Sequence, residues 1–166
     1  MKRIMSLALA LLTVFMLVLP VMAPEAEAAS IVKIYYVNTK GVRFRSEPYG
    51  YNDANIIKTM KKNTLCILVT TKGNWYKVLT EDGETGWIFN RYLSYYGAAS
   101  KNAIGISTES RLPVYKTYST KSRMLGRLAK GDVVIVRRYN STWAEITTLK
   151  GGAIGYTSIK SLKRAF

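Results

Sequence analysis

Trp75 and Trp143 occupy matching places 68 residues apart in a repeated pattern, and each sits at the start of a β-branched, alternating segment. An indole held outward on a strand offers flat stacking area to a peptide backbone or a sugar face. The same copy carries Tyr92 and Tyr49 or Tyr51 as further rings, Ser46 and Asn74 as small hydrogen-bonding residues, and Arg45, whose guanidinium can pair a carboxylate. The copy with Trp143 carries Tyr115. This is recognition chemistry. The 166 residues contain no histidine and one cysteine, which removes Ser-His-Asp triads, Cys-His pairs, histidine-ligated zinc and any intramolecular disulfide. No cofactor and no metal is implied.

The first 29 residues stand apart. Met1, Lys2 and Arg3 make a basic start, Ile4 to Val21 is an apolar run, and Ala26-Glu27-Ala28 supplies the small residues a signal peptidase reads. The pattern predicts a cleaved secretory signal over 1–29, leaving a mature chain that begins at Ala29 or Ser30. A membrane anchor is the alternative, since about 18 apolar residues can just span a bilayer. The Ala-x-Ala site and the lack of a second span favour cleavage, with no stable membrane span afterwards. The lone Cys66 lies in the apolar run Leu65 to Val69, which predicts an inert thiol in a buried strand.

An internal repeat organises the rest. Gly73 to Val78 matches Ser141 to Ile146, Gly86-Trp87-Ile88 matches Gly155-Tyr156-Thr157, and Leu93 matches Leu162. The copies are expected at 31–96 and 103–164, with Gly97-Ala98-Ala99-Ser100 as the joint. Each copy reads as short strands with no helix. In the first these are Ile31 to Val37, Val42 to Arg45, Ile56 to Met60, Leu65 to Thr70, Trp75 to Leu79 and Thr85 to Phe89. Met124 to Leu128, Val133 to Arg138, Trp143 to Thr147 and Ile154 to Thr157 continue the scheme in the second. Lys72-Gly73-Asn74 and Glu81-Asp82-Gly83 are hairpin turns. Sixty-odd residues is close to the lower limit for an independent core, and closure into a small barrel would hide the sheet edges.

Alternation assigns the faces. Trp75 shares a face with Lys77, and Tyr76 with Val78; Trp143 shares a face with Glu145 and Thr147, and Ala144 with Ile146. A charged side chain does not enter so small a core, so both tryptophans are expected outside, lining a groove or covered by a loop.

With these residues in view, the chain resembles the bacterial SH3-like (SH3b) domains of secreted cell-wall proteins, twice over. The resemblance rests on Val42-Arg43-Phe44-Arg45-Ser46-Glu47-Pro48, the Lys130-Gly131-Asp132 turn, Trp75 and Trp143, and Gly86-Trp87-Ile88. It implies an all-β protein of two tandem small SH3-like barrels that binds peptidoglycan, often its peptide stems or cross-bridges. By analogy with SH3 grooves, Trp75 and Tyr92 would form the aromatic floor. Ser158 and Ser161 stand where the first copy has Phe89 and Tyr92, and Tyr115 where it has Arg45, so the copies are expected to be unequal.

Charge adds to that inequality. The formal net charge of +15 divides into +5 for residues 30–97 and +10 for 98–166. Arg123, Arg127, Lys130, Lys160, Lys163 and Arg164 are candidates for a basic surface, with Arg137 and Arg138 aimed oppositely unless a bulge intervenes. Such a surface either keeps an exported protein soluble or attracts the phosphates of wall polymers such as teichoic acid. The expected function is a secreted, wall-associated, non-catalytic binder of peptidoglycan or other wall polymers. The alternative is a scaffold or regulator that docks a secreted wall enzyme. A carboxylate hydrolase is disfavoured because Glu47, Asp53, Glu81, Asp82, Glu84, Glu109, Asp132 and Glu145 fall mostly in turns or at strand ends. Nucleic acid fits the charge but neither the export nor any motif.

Overall fold

A computed structural model describes residues 30–149, 151 and 155–166. The predicted leader over 1–29 and Ile154 lie outside them. The first sheet contains Ile31–Val37 (β1), Val42–Arg45 (β2), Ile56–Met60 (β3), Leu65–Lys72 (β4), Trp75–Thr80 (β5), Thr85–Phe89 (β6) and Leu93–Ser100 (β7). The second contains Ile104–Ser107 (β8), Leu112–Tyr115 (β9), Met124–Leu128 (β10), Val133–Tyr139 (β11), Trp143–Thr147 (β12), Gly155–Ser158 (β13) and Leu162–Arg164 (β14). All recorded pairings are antiparallel, and the strand orders correspond: β3-β2-β6-β5-β4-β1-β7 and β10-β9-β13-β12-β11-β8-β14.

Alternation explains the first core. Val37, Phe44, Met60, Cys66, Val78, Ile88 and Leu93 belong to one buried cluster, so all seven strands contribute and the sheet must curl round it. Gly86 permits the tightest approach. A Cβ there would lie 2.6 Å from the Phe44 ring and 2.8 Å from the Arg45 carbonyl, so only glycine lets β6 approach β2 this closely. Cys66 is fully buried, as expected, and burial, reinforced by Glu81, pushes its thiol up to about 12.

Neither sheet closes into the barrel expected from the sequence. Among the described residues β3 and β7 are edges without a ladder between them, as are β10 and β14. The β3 edge is held by charge instead. Lys58 reaches Asp82 and Glu84 of the β5–β6 turn at 2.5 Å each. A lysine on an edge strand also discourages pairing with another chain. Burial alone would raise the Asp82 carboxyl, but hydrogen bonds from Lys58 and Thr80 outweigh it and hold the group below its ordinary value.

This clamp has a pH signature. With Asp82 lower in the folded chain than its unfolded value of about 3.9, its stabilisation is complete above that value and is lost as pH falls through the folded one. Thermal unfolding from about pH 5 to about pH 3 should show the wild-type midpoint falling more steeply than that of Lys58→Met. Parallel profiles would exclude the clamp. The effect is modest, because the Asp82 side chain is 57% exposed and screened.

The segment read as a joint is strand. Gly97, Ala98, Ala99 and Ser100 end β7 and pair with Ile34, Lys33, Val32 and Ile31 of β1. Their small side chains fit beside β1, and Ala99 packs on a second cluster. That cluster crosses between the sheets: Val32, Ile34, Leu65, Ile67 and Leu79 meet Ile104, Val133 and Leu149. The Leu65-Cys66-Ile67 run is therefore buried on both faces, Cys66 inward and its neighbours toward the other sheet. The Val133 amide donates to the Glu81 carbonyl at 2.9 Å, and the Gly83 and Gly131 turns meet backbone to backbone.

Candidate functional site

The β5–β6 hairpin sets Trp75 opposite Phe89, and their rings meet edge to face at 5.3 Å. A single 3-10 turn, Asn90–Tyr92, then returns the chain and brings Tyr92 within 6.4 Å of Phe89. Arg91 lies over both rings, 5.5 Å from Phe89 and 4.8 Å from Tyr92, and donates to the Tyr92 hydroxyl at 2.7 Å. With Thr39, Lys40, Gly41 and Val42, with Arg43 and Arg45, and with Gly50 above, these residues line an open hollow of about 610 Å³.

The structure thus brings Trp75, Tyr92 and Arg45 together, three of the residues expected at the site. Arg45, however, has another task. It is 4% exposed, and its guanidinium donates to the Asn52 carbonyl at 2.7 Å and to Asn55 Oδ1, with Asp53 at 3.7 Å. Asn55 in turn donates to the Tyr49 carbonyl at 3.0 Å. Arg45 and Asn55 form the internal frame of the loop after Pro48 and place Gly50 over the Trp75 indole, its Cβ position 3.8 Å from the ring. A ligand carboxylate would have to compete with these bonds, so the pairing expected for Arg45 passes to other cations. Arg43 is held by Asp53 at 2.7 Å, and Lys40 has no ion-pair partner among the described residues. Arg91 likewise faces rings rather than a carboxylate.

The other expected residues lie outside the lining. Ser46 and Asn74 are exposed, and their backbones do the work: the Ser46 amide donates to the Asn55 carbonyl at 2.8 Å, and the Asn74 carbonyl accepts from Asn90 at 2.8 Å. Tyr49 is exposed and stacks on Tyr51 at 5.7 Å. Tyr115 and Trp143 meet edge to face at 5.9 Å, and Tyr118 and Tyr156 at 6.0 Å with Tyr156 opposite Tyr115 in the ladder, while Ser158 rather than a ring stands opposite Trp143. Ser161 is buried and donates to Glu109.

Arg123, Arg127, Lys130, Lys160, Lys163 and Arg164 are all exposed. They are distributed over the residue before β10, β10 itself, the turn before β11, the 3-10 turn Ile159–Ser161 and β14. A register shift between Val136 and Arg138 supplies the bulge that lets Arg137 and Arg138 escape simple alternation. Sequence reasoning omitted Phe89, Arg91, Arg43, Lys40 and Gly50 from the site. The available signal for Phe89 was the hairpin register opposite Trp75. Gly50 could not be found, because its place depends on the loop frame.

Residues 40–94 match the family model described as Bacterial SH3 domain. The match covers a third of the chain and contains every lining residue of the hollow except Thr39. This part of the chain is similar to a bacterial SH3 domain. Among solved structures, the chain is similar to NlpC2 from Trichomonas vaginalis at 14% identity and a TM-score of 0.32, covering 80% of this chain and 48% of that one. It is similar to NlpC1 from the same organism at 15% identity and 0.31, covering 80% and 45%. The chain therefore spans about half the length of each. No curated protein matches it.

Proposed function

We propose that this chain is a secreted, non-catalytic protein that binds the bacterial cell wall. It holds wall peptide in the groove of the first sheet, while its basic surface attracts anionic wall polymers. One observation carries the reading: a wall of three aromatic rings, Trp75, Phe89 and Tyr92, bordered by Lys40, Arg43 and Arg91 in an open hollow. Rings stack on peptide planes without needing a particular side chain, and the cations favour a segment that carries a carboxylate. Surface fields decay over about 8 Å at physiological ionic strength, so the remaining charge speeds encounter rather than setting specificity.

The test is co-sedimentation of the purified protein with protein-free sacculi, before and after acid removal of phosphate polymers. Retention on both preparations, weaker on the stripped one and without loss of turbidity, is expected. Retention that disappears entirely with the phosphate polymers would move recognition to the basic surface. No retention on either would overturn wall binding and favour a protein partner.

A further inference from the structure

The register of the two sheets exposes a vacancy in the second. In the first, Tyr35 lies between Cys66 and Tyr95 in the ladder, and its ring packs edge to face on Tyr76 at 5.5 Å and on Tyr95 at 5.9 Å. In the second sheet Gly105 holds the corresponding place, between Val134 and Arg164. Ala144 corresponds to Tyr76, each two places before the strand's buried aliphatic residue, Ile146 or Val78. A trio of tyrosines is replaced by glycine, alanine and arginine.

Two of these positions, Gly105 and Arg164, line a hollow of about 400 Å³ with apolar walls from Ile104, Val136, Ile159 and Leu162 and a second cation, Lys163. Both cations are exposed and neither has an ion-pair partner among the described residues. Tyr139, 72% exposed, stands at the same hollow. On the side of β11 away from β12, β8 begins at Ile104 opposite Ile135, so that from Val136 to Tyr139 β11 has no strand partner on that side among the described residues, with the 3-10 turn Lys101–Ala103 nearby.

We propose that this hollow is a second binding site, distinct from the Trp75 groove, for an aromatic residue at the free C-terminal end of a peptide. The ring takes the place that Tyr35 fills in the first sheet. The terminal carboxylate meets Lys163 and Arg164, and the preceding main chain runs along the open edge of β11, where backbone groups are free to pair. The chemistry complements the site on three counts: apolar area for a ring, positive charge for a carboxylate, and a strand edge for an extended backbone.

The probe is acetyl-Gly-Gly-Tyr with a free carboxylate, titrated into the full chain and followed by amide shifts in NMR spectra. Shifts centred on Gly105, Val136 and Leu162 are expected. The C-terminal amide of the same peptide should bind about fivefold more weakly or worse, and 4-hydroxyphenylacetate, which lacks the main chain, should also be weaker. Gly105→Tyr puts a ring at the hollow, with Val136, whose Cγ2 would lie 3.1 Å from the new Cβ, shifting by a few tenths of an ångström, and in a chain that stays folded should reduce affinity at least about tenfold. Arg164→Glu, at an exposed position that does not threaten folding, should do the same for the free acid and leave the amide unaffected. Trp75→Ala should leave the shifts at Gly105, Val136 and Leu162 unchanged in this titration. The proposal is overturned if acid and amide bind alike with Arg164→Glu silent, if the shifts centre on Trp75, or if 4-hydroxyphenylacetate equals the peptide.

Discussion

Trp75→Ala is expected to reduce retention on purified sacculi by about tenfold or more while the protein stays folded. The indole is half-buried, and its edge rests on Phe89 rather than in the cluster around Val78 and Ile88. Removing it takes away the largest ring of the groove and one aromatic contact, at a stability cost of about 1 kcal/mol. The core beneath is untouched. Trp75→Phe should keep part of the affinity, because a smaller ring still stacks, and Trp143→Ala should have the smaller effect, because Ser158 rather than a ring stands opposite it. Equal retention of Trp75→Ala and wild type in co-sedimentation would remove the anchor from the mechanism.

The second large effect is expected from Arg45→Met. The substitution keeps bulk and apolar stem but strips the donors from the Asn52 carbonyl and from Asn55 Oδ1, and Asn55 is itself buried. Leaving the buried Asn55 Oδ1 unpaired costs about 1–3 kcal/mol and the part-buried Asn52 carbonyl about 1 kcal/mol, so a loss of about 2–4 kcal/mol is expected in urea unfolding. Sacculus binding should fall as well, because the loop that carries Gly50 over Trp75 loses its frame. Arg45→Lys should rescue only in part, since an ammonium lacks the planar fork that serves several acceptors at once. The two roles separate cleanly. Were Arg45 a direct partner of a ligand carboxylate, Arg45→Met would weaken binding and leave stability unchanged.

Much of this architecture was legible in the residues because strand alternation is a local property. The bounds of β1, β2, β3, β6, β10 and β12 follow from β-branched runs punctuated by Gly, Asn and Asp, and Val78, Ala144 and Ile146 are buried where the period of two places them. The aromatic pairing of Trp75 and Tyr92 in one hollow was legible too, through the resemblance to SH3 grooves. Less accessible were the partners brought in by pairing at a distance. Phe89 and Arg91 reach the groove through hairpin register and a 3-10 turn, and the Arg45 donors are occupied by a loop whose conformation no pattern encodes.

By itself, then, the amino-acid order determined an all-β chain with a twice-repeated pattern, a strongly basic balance, a lone thiol in a buried strand, and an indole kept out of the core by its charged neighbour on the same face. Tertiary structure alone decided which outward faces stay open. Leu79 shares a strand face with Trp75, yet Leu79 is sealed against Ile104, Val133 and Leu149 of the other sheet while Trp75 borders the hollow. The reason is physical: side-chain periodicity records which face a residue lies on, whereas burial of that face depends on what a segment far away in the chain packs against it.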